Sequence, residues 1–127
     1  RARSFIFTTS LPPVVLAMAG AAVELVEKEP ARQCALQRNS ERLRSGLRKL
    51  GYSVGGSTQI IPILVGEEAP CMQQAARLLE SGLYVQGIRP PTVPPGTSRL
   101  RVTTMATHTE EQMERALDAF ARAGRGV

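Results

Sequence analysis

The stretch from Phe5 to Val23 carries no charged residue, and this limits the folds that a 127-residue chain can adopt. A membrane-spanning helix needs about 20 predominantly apolar residues, whereas Pro12 and Pro13 leave only a shorter apolar run. Prolines suit the first turn of a helix, where a missing N–H costs nothing, and Ser10 is predicted to cap that helix. Because the helix is apolar on all sides, another surface has to cover it. We therefore predict no membrane span, and a connecting segment with an interface helix over residues 1–29.

The net charge of +5 raises nucleic acid as a partner. The basic residues are dispersed, however, and the densest group lies in the predicted second helix without interleaved aromatic residues or a DNA- or RNA-binding motif. We therefore expect no nucleic-acid partner and favour a solvated helix face over a nucleic-acid site. The basic group consists of Arg38, Arg42, Arg44, Arg48 and Lys49.

The two cysteines, Cys34 and Cys71, are too few for a disulfide scaffold and lack the spacing of metal ligands. Each falls in a helical pattern, where a buried cysteine acts as a small apolar residue. We predict two buried thiols and a cytoplasmic location, where thiols stay reduced.

Hydrophobic periodicity predicts a series of helices and strands after the first helix. Thr109 and Gln112 are spaced as a capping box at the start of the last helix. Pro62 confines the first strand to an edge of the sheet, or lies among the first paired residues of that strand. We expect residues 1–127 to form one domain of the α/β class, an α+β small domain with helices packed on a small, partly antiparallel sheet. The predicted helices cover residues 31–50, 67–82 and 109–124, and the predicted strands cover residues 59–65, 83–86 and 99–103. The residues predicted to face the core on the 67–82 helix are Met72, Ala75, Leu78 and Leu79.

Residues that usually carry catalysis are scarce. His108, the only histidine, directly precedes a helix cap, and no serine or cysteine belongs to a recognisable nucleophile motif. Histidine packs or caps more often than it catalyses, so a structural role is favoured. No glycine-rich phosphate loop follows a strand, and no carboxylate cluster indicates a metal. Taken alone, the chain is predicted to contain no catalytic residue and no metal site, and to be an incomplete enzyme.

Two segments have unusual chemistry. The first runs from Arg89 to Arg101, and its four prolines stiffen a loop between two strands. Arg99 and Arg101 share one face of the following strand and can present a guanidinium to a carboxylate, with a solvated strand face as the alternative. In the second segment, Phe5–Pro13, three hydroxyl groups precede a helix N-terminus, which suits an anion such as phosphate or simple capping.

Together these segments resemble the α-oxoamine synthases, pyridoxal-phosphate-dependent enzymes related to class II aminotransferases. Phe-Ile-Phe-Thr-Thr-Ser-Leu-Pro-Pro at 5–13 resembles the segment that follows their cofactor lysine. Gly-Ile-Arg-Pro-Pro-Thr-Val-Pro at 87–94, followed by Gly-Thr-Ser-Arg-Leu-Arg-Val at 96–102, resembles their substrate-binding stretch. The resemblance covers essentially the whole chain. It implies the C-terminal small domain of a fold type I transferase, the cofactor pyridoxal 5'-phosphate and a homodimer.

The resemblance also implies roles for individual residues. Arg101 matches the arginine that binds the carboxylate of the amino acid or product, and Thr92 matches a loop threonine that contacts substrate. Thr8 matches a hydroxyl residue that reaches the cofactor phosphate of the neighbouring subunit, and Thr9 is a weaker candidate for that role. Arg89 is a candidate for contacting the far carboxylate of the acyl chain. The cofactor lysine would precede this chain, so the chain alone is expected neither to bind the cofactor as a Schiff base nor to turn over.

Within the family, residues 88–94 are most similar to the members that condense a pimeloyl thioester, of CoA or an acyl carrier protein, with L-alanine in biotin biosynthesis. Glycine C-acetyltransferase, 5-aminolevulinate synthase and serine palmitoyltransferase share the fold and chemistry and remain alternatives. A free-standing module that holds an acidic metabolite with Arg99 and Arg101 is another alternative, although it would expose the apolar first helix.

Overall fold

The computed structural model describes residues 10–124, which divide into two compact units at the Gln33–Cys34 bond. The first unit contains helix α1 (Pro13–Lys28). Helix α2 (Pro30–Lys49) follows, and its residues from Cys34 onward belong to the larger unit. Within the described range, no helix is long and apolar enough to cross a membrane.

Helix α1 exposes large apolar side chains along its length, and none of its residues is buried. Pro12 occupies the N-cap and no side chain caps the helix, so the predicted Ser10 cap is wrong. Because Pro13 at the first helical position has no N–H, fewer donors are left for a cap to satisfy. The surface that covers this helix stays a prediction.

The larger unit contains a three-stranded sheet and the helices that cover one of its faces. Its strands lie in the order β1-β3-β2, and both pairs are antiparallel. The expected α+β arrangement of helices on a small sheet is therefore confirmed. The elements are β1 (Ile60–Gly66), α3 (Glu68–Glu80), β2 (Gln86–Ile88), β3 (Ser98–Thr103) and α4 (Glu110–Ala123).

Strand β3 is central, and its side chains alternate between the two faces of the sheet. Ser98, Leu100 and Val102 are buried beneath the helices, whereas Arg99 and Arg101 lie on the opposite face. Each fully buried leucine or isoleucine contributes about 1.5–3 kcal/mol relative to an exposed one, so this face accounts for much of the stability. The core has its most deeply buried large side chains at Leu43, Leu47, Ile61, Ile63, Leu78, Leu100 and Phe120.

Pro62 lies in an outer strand, as predicted. Its carbonyl oxygen accepts from the Gly55 N–H at 2.9 Å, and the Leu64 N–H donates to the Ser53 carbonyl at 3.0 Å. This side of β1 therefore faces residues 53–55 and not β3. The missing N–H of Pro62 falls outside the ladder with β3 and costs no hydrogen bond there.

Strand β2 begins only at Gln86. The strand predicted at residues 83–86 is therefore wrong in position. Pairing begins at Gln86, opposite Arg101, while Tyr84 is largely exposed. A Cβ on Gly87 would lie 2.9 Å from the Sδ of Met72, so the absence of a side chain lets this strand approach α3 closely. Alternating apolar residues predict an extended chain at 83–86 but do not show where its pairing begins.

The inner face of α3 differs from the prediction. Met72 and Leu79, both predicted to face the core, are exposed, and Gln74 is buried instead. The Gln74 amide donates to the Gly124 carbonyl at 2.8 Å and to the Tyr52 hydroxyl at 3.2 Å. A buried amide is tolerated when its hydrogen bonds are satisfied in this way. The buried residues of α3 are Cys71, Gln74 and Leu78.

Helix α2 contradicts two predictions. Arg44, predicted to lie on a solvated face, is only 4% exposed. Its Nη1 pairs with Glu41 at 2.8 Å and its Nη2 donates to the Thr58 carbonyl at 2.5 Å, and a planar guanidinium can satisfy both partners while its stem packs. Cys34, predicted to be buried, is exposed because the helix is uncovered over residues 30–34. Helical periodicity alone does not show where along its length a helix is covered.

Helix α4 begins with the predicted capping box. The Thr109 hydroxyl accepts from the Gln112 N–H at 3.2 Å, and the Gln112 side chain accepts from the Thr109 N–H at 2.9 Å. Glu110 and Glu111 occupy the first turn, where carboxylates interact favourably with the helix dipole. The capping box therefore fixes the residue at which α4 begins.

Candidate functional site

Arg101 lies at the centre of the sheet face that the helices leave uncovered, which we call the open face. The antiparallel register puts Pro62 of β1 beside it on one side and Gln86 of β2 on the other. Arg99 lies two residues earlier on the same face. The open face consists of Ile60, Pro62, Leu64, Gln86, Ile88, Arg99, Arg101 and Thr103.

The guanidinium of Arg101 is exposed and is held by a neutral side chain. Its Nη2 donates to the Oε1 of Gln86 across the β2–β3 pair. None of the ion pairs formed by residues 10–124 involves Arg101. Its positive charge is therefore uncompensated within this range, which suits an incoming carboxylate.

The loop between β2 and β3 is shaped by its own hydrogen bonds. The Thr92 N–H donates to the Arg89 carbonyl at 3.1 Å. The N–H and the hydroxyl of Thr97 both donate to the Pro94 carbonyl, at 3.2 and 2.7 Å. The Pro90–Pro91 peptide bond is cis. The hydrogen bonds to the Arg89 and Pro94 carbonyls give the loop a defined shape, with the Thr92 side chain exposed to solvent.

Arg89 leaves the end of β2 and pairs with Glu68 at the start of α3. Both side chains are about half exposed, at 55% and 47%. The charge of Arg89 is thus compensated, unlike that of Arg101. A ligand carboxylate would have to compete with Glu68, and exposed pairs of this kind are weak, at about 0–1 kcal/mol.

Three of the predicted site residues lie on neighbouring strands and their connecting loop: Arg101, Arg89 and Thr92. Thr8 and Thr9 lie outside the described residues. The sequence reasoning missed the partners of the two arginines, Gln86 and Glu68. Alternation along the chain could have placed Gln86 on the face of Arg101, but a loop spanning 89–97 leaves the register between the two strands open.

His108 makes structural contacts. Its Nδ1 accepts from the Met105 N–H at 3.2 Å, and its carbonyl accepts from the Asn39 amide at 2.9 Å. These bonds hold the turn before α4, as expected of a structural histidine. Burial raises the pKa of the Cys71 thiol, which keeps it protonated and a poor nucleophile. In the described part of the chain, no three potential metal ligands form a group.

A cavity of 580 Å³ opens between residues 81–85, the end of β3 and α4. Val102 and Met113 form part of its apolar lining, and Arg115 and Arg122 contribute charged groups. Arg89, Thr92 and Arg101, the predicted site residues within the described range, do not line it. The cavity and the open face around Arg101 are therefore separate features.

The comparisons with known proteins agree on one family. The model of the family "Aminotransferase class I and II" matches residues 1–120. The 8-amino-7-oxononanoate synthase of Geobacter sulfurreducens is 55% identical over 98% of this chain and 33% of its own length. A serine palmitoyltransferase structure from Sphingomonas wittichii is 38% identical and covers 94% of this chain and 31% of that one, with a TM-score of 0.86. The 8-amino-7-oxononanoate synthase structure from Francisella tularensis, 23% identical with a TM-score of 0.77 over 95% of this chain and 36% of that one, shares the fold.

This chain spans about a third of the length of the curated relatives that it matches. The resemblance to α-oxoamine synthases carried by the motifs at 5–13 and 87–102 is confirmed. The likeness to solved fold type I transferases also confirms the expected C-terminal small domain. Since the family model matches nearly all of its residues, the chain belongs to the aminotransferase class I and II family.

Proposed function

We propose that this chain is the substrate-binding C-terminal part of an acyltransferase that uses pyridoxal 5'-phosphate. The reaction condenses a pimeloyl thioester, from CoA or an acyl carrier protein, with L-alanine, releases CO2 and the thiol, and gives 8-amino-7-oxononanoate for biotin biosynthesis. Identities of 55% and 53% to curated enzymes named for that product support it. Because the chain covers only a third of those enzymes, the activity is proposed for a complete protein that contains it.

The uncompensated charge of Arg101 is the observation that carries the proposal. A carboxylate held by an arginine fork is fixed in orientation as well as in position. In this reaction it is the carboxylate of L-alanine. The central strand gives Arg101 a rigid base, so a bound amino acid is presented to its reaction partner in one orientation, which lowers the barrier to condensation.

The loop between β2 and β3 supplies the second recognition element. The exposed Thr92 hydroxyl is proposed to contact the substrate. Arg89 is proposed to meet the far carboxylate of the pimeloyl chain by exchanging Glu68 for the ligand. An acetyl or palmitoyl chain has no carboxylate to offer, so this arginine favours the dicarboxylic donor.

The described residues do not fit the covalent anchor of the cofactor. The only lysines are Lys28, which pairs with Glu24 at 2.9 Å, and Lys49, and both are exposed on helices and not enclosed in a pocket. Pyridoxal phosphate supplies an electron sink when it is bound. Thr8, and more weakly Thr9, are proposed to reach its phosphate.

Two further proposals concern the setting of the reaction. The contact of Thr8 is proposed to cross to the neighbouring subunit, which makes the active site a property of a homodimer. The free thiols of Cys34 and Cys71 suit a reducing compartment, and we place the protein in the cytoplasm. Size determination of the complete protein in solution tests the first of these.

The deciding experiment assays the polypeptide encoded by the complete reading frame that contains this chain. With L-alanine and pimeloyl-CoA it is expected to release CO2 and free thiol, and Arg101→Met is expected to lower kcat/KM about a hundredfold. The alternative that the Sphingomonas structure favours is serine palmitoyltransferase. Faster turnover of serine with palmitoyl-CoA, or of glycine with acetyl- or succinyl-CoA, would show that the protein has the activity of another α-oxoamine synthase. No turnover with any pair, together with carboxylate binding at Arg101, would establish the free-standing binding module instead.

A further inference from the structure

We infer that Gln86 is a positioning residue, which holds the guanidinium of Arg101 in the orientation that receives a carboxylate. The inference rests on the proposed function, because it deepens the recognition of the amino-acid carboxylate at that same site. It is carried by the side-chain contact between these two residues and by the register that creates it.

The register makes Gln86 and Arg101 directly opposed residues on β2 and β3. Directly opposed side chains share a face of the sheet and are close enough to bond, and here the Oε1 of Gln86 accepts from the Nη2 of Arg101. The opposed residue on the other flank is Pro62, whose ring offers no polar atom. Of the two residues that flank Arg101 in the sheet, Gln86 alone can therefore orient it.

The neutrality of Gln86 matters because it restrains the guanidinium and leaves its charge available. Glu68 shows the contrast, since it restrains Arg89 with a carboxylate that any anionic ligand must displace. A flexible arginine loses conformational freedom when it binds, and ordering it beforehand removes part of that cost. Gln86 thus prepares Arg101 for a carboxylate without competing with it.

The amide of Gln86 also has a second group to contribute. When Oε1 accepts from Arg101, the Nε2 group remains a donor. A carboxylate that binds along the Nη2 edge of Arg101 can accept from that group as well. The pair then recognises one carboxylate with donors from two strands.

Two substitutions in the complete enzyme test the role of Gln86. Gln86→Met keeps the length of the side chain but removes the acceptor and the donor, and we expect the KM for L-alanine to rise about fivefold. Gln86→Glu keeps the shape but pairs with Arg101 and competes with the ligand, and we expect a rise of about twentyfold. In both variants kcat is expected to stay within about twofold, because the residue acts on binding through Arg101. The exposed Gln73 of α3 provides matched controls, Gln73→Met and Gln73→Glu, which are expected to leave KM unchanged.

A measurement that needs no turnover keeps the inference separate from the proposed function. The 127-residue chain is titrated with sodium propionate while the Nε–Hε resonance of Arg101 is followed by NMR. We expect the wild-type chain to bind most tightly, Gln86→Met more weakly and Gln86→Glu most weakly. If that order holds while the complete enzyme does not consume L-alanine, the proposed function fails and the role of Gln86 stands. Equal titration curves for the three proteins, including no shift in any of them, overturn the inference.

Discussion

The ring of Tyr52 meets the ring of Phe120 edge to face, with centroids 5.4 Å apart and planes at 78°. Its hydroxyl lies 2.8 Å from the carbonyl oxygen of Phe120 and 2.7 Å from that of Gly124, and it accepts from the Gln74 amide at 3.2 Å. One side chain after α2 thus ties the end of α4 to α3. The helical layer that supports the sheet depends on this buried polar cluster.

Replacement of Tyr52 by phenylalanine is expected to lower the free energy of unfolding by about 1–3 kcal/mol. The ring contact survives, but the buried carbonyls and the Gln74 amide lose a partner. Urea denaturation monitored by circular dichroism measures the change. Tyr84→Phe, at a residue that is 79% exposed, is the matched control and is expected to change stability by less than about 0.5 kcal/mol. Equal effects of the two substitutions would show that the hydroxyl of Tyr52 does not stabilise the fold.

Arg44→Met is expected to destabilise the larger unit by about 1–3 kcal/mol, since it removes a buried hydrogen bond to the Thr58 carbonyl and an ion pair with Glu41. Methionine retains the packing of the arginine stem, so the loss reports the polar contacts. Arg48→Met, at an exposed position on the same helix, is the control. A similar loss at Arg48 would point to helix propensity as the cause.

The contribution of Glu41 to stability is expected to depend on pH. Hydrogen bonds from Ser45, and next from Arg44, hold the pKa of the Glu41 carboxyl below its ordinary value of 4.5. A carboxyl with a lowered folded-state pKa stabilises the fold above its unfolded value, and the contribution disappears as pH falls through the folded value. The difference in unfolding free energy between the wild-type chain and Glu41→Gln should therefore shrink as the pH falls from neutral to below 4.5. In a Ser45→Ala background the same comparison should depend less on pH, and an unchanged dependence would contradict the assignment of Ser45 as the main cause.

The two thiols are expected to react at very different rates. Cys34 is exposed, whereas Cys71 is buried and burial raises its pKa. Because the thiolate is the reactive form, a thiol reagent should label one cysteine of the folded chain rapidly and the second only after unfolding in urea. Mass spectrometry of the labelled chain identifies the site, and Cys34→Ser should abolish the fast phase. Fast labelling of Cys71 in the folded chain would show that β2 and α3 separate readily.

The sequence predicts the elements of the fold because local patterns determine them. Each of these patterns spans only a few neighbouring residues. Examples are the capping box at Thr109, the apolar strand around Pro62 and the alternation of Arg99 and Arg101. The position of Arg101 on the open face follows from that alternation alone. Its expected role as the carboxylate-binding residue comes from family resemblance and stays a prediction.

The errors concern polar residues whose partners lie far along the chain. Arg44 can be buried because its guanidinium donates to the Thr58 carbonyl. Gln74 can be buried because its amide donates to the Tyr52 hydroxyl and to the Gly124 carbonyl. The polarity of both side chains predicts that they are exposed. Only the folded chain brings up the distant partners whose hydrogen bonds offset the cost of burying them. Gln86 was missed for a related reason, since its register with β3 depends on how the connecting loop closes.

The central position of Arg101 has a consequence for how specificity can change. Its backbone is held in the sheet on both sides, whereas the loop over residues 89–97 is closed by bonds within itself. Exchanging the tip of that loop therefore leaves the Cα of the arginine in place. Under the roles proposed above, the carboxylate common to many substrates and the acyl chain that differs among them are bound by separable pieces of chain. On that proposal, grafting the loop is the direct route to a new acyl donor, because the strand that holds Arg101 does not have to be rebuilt.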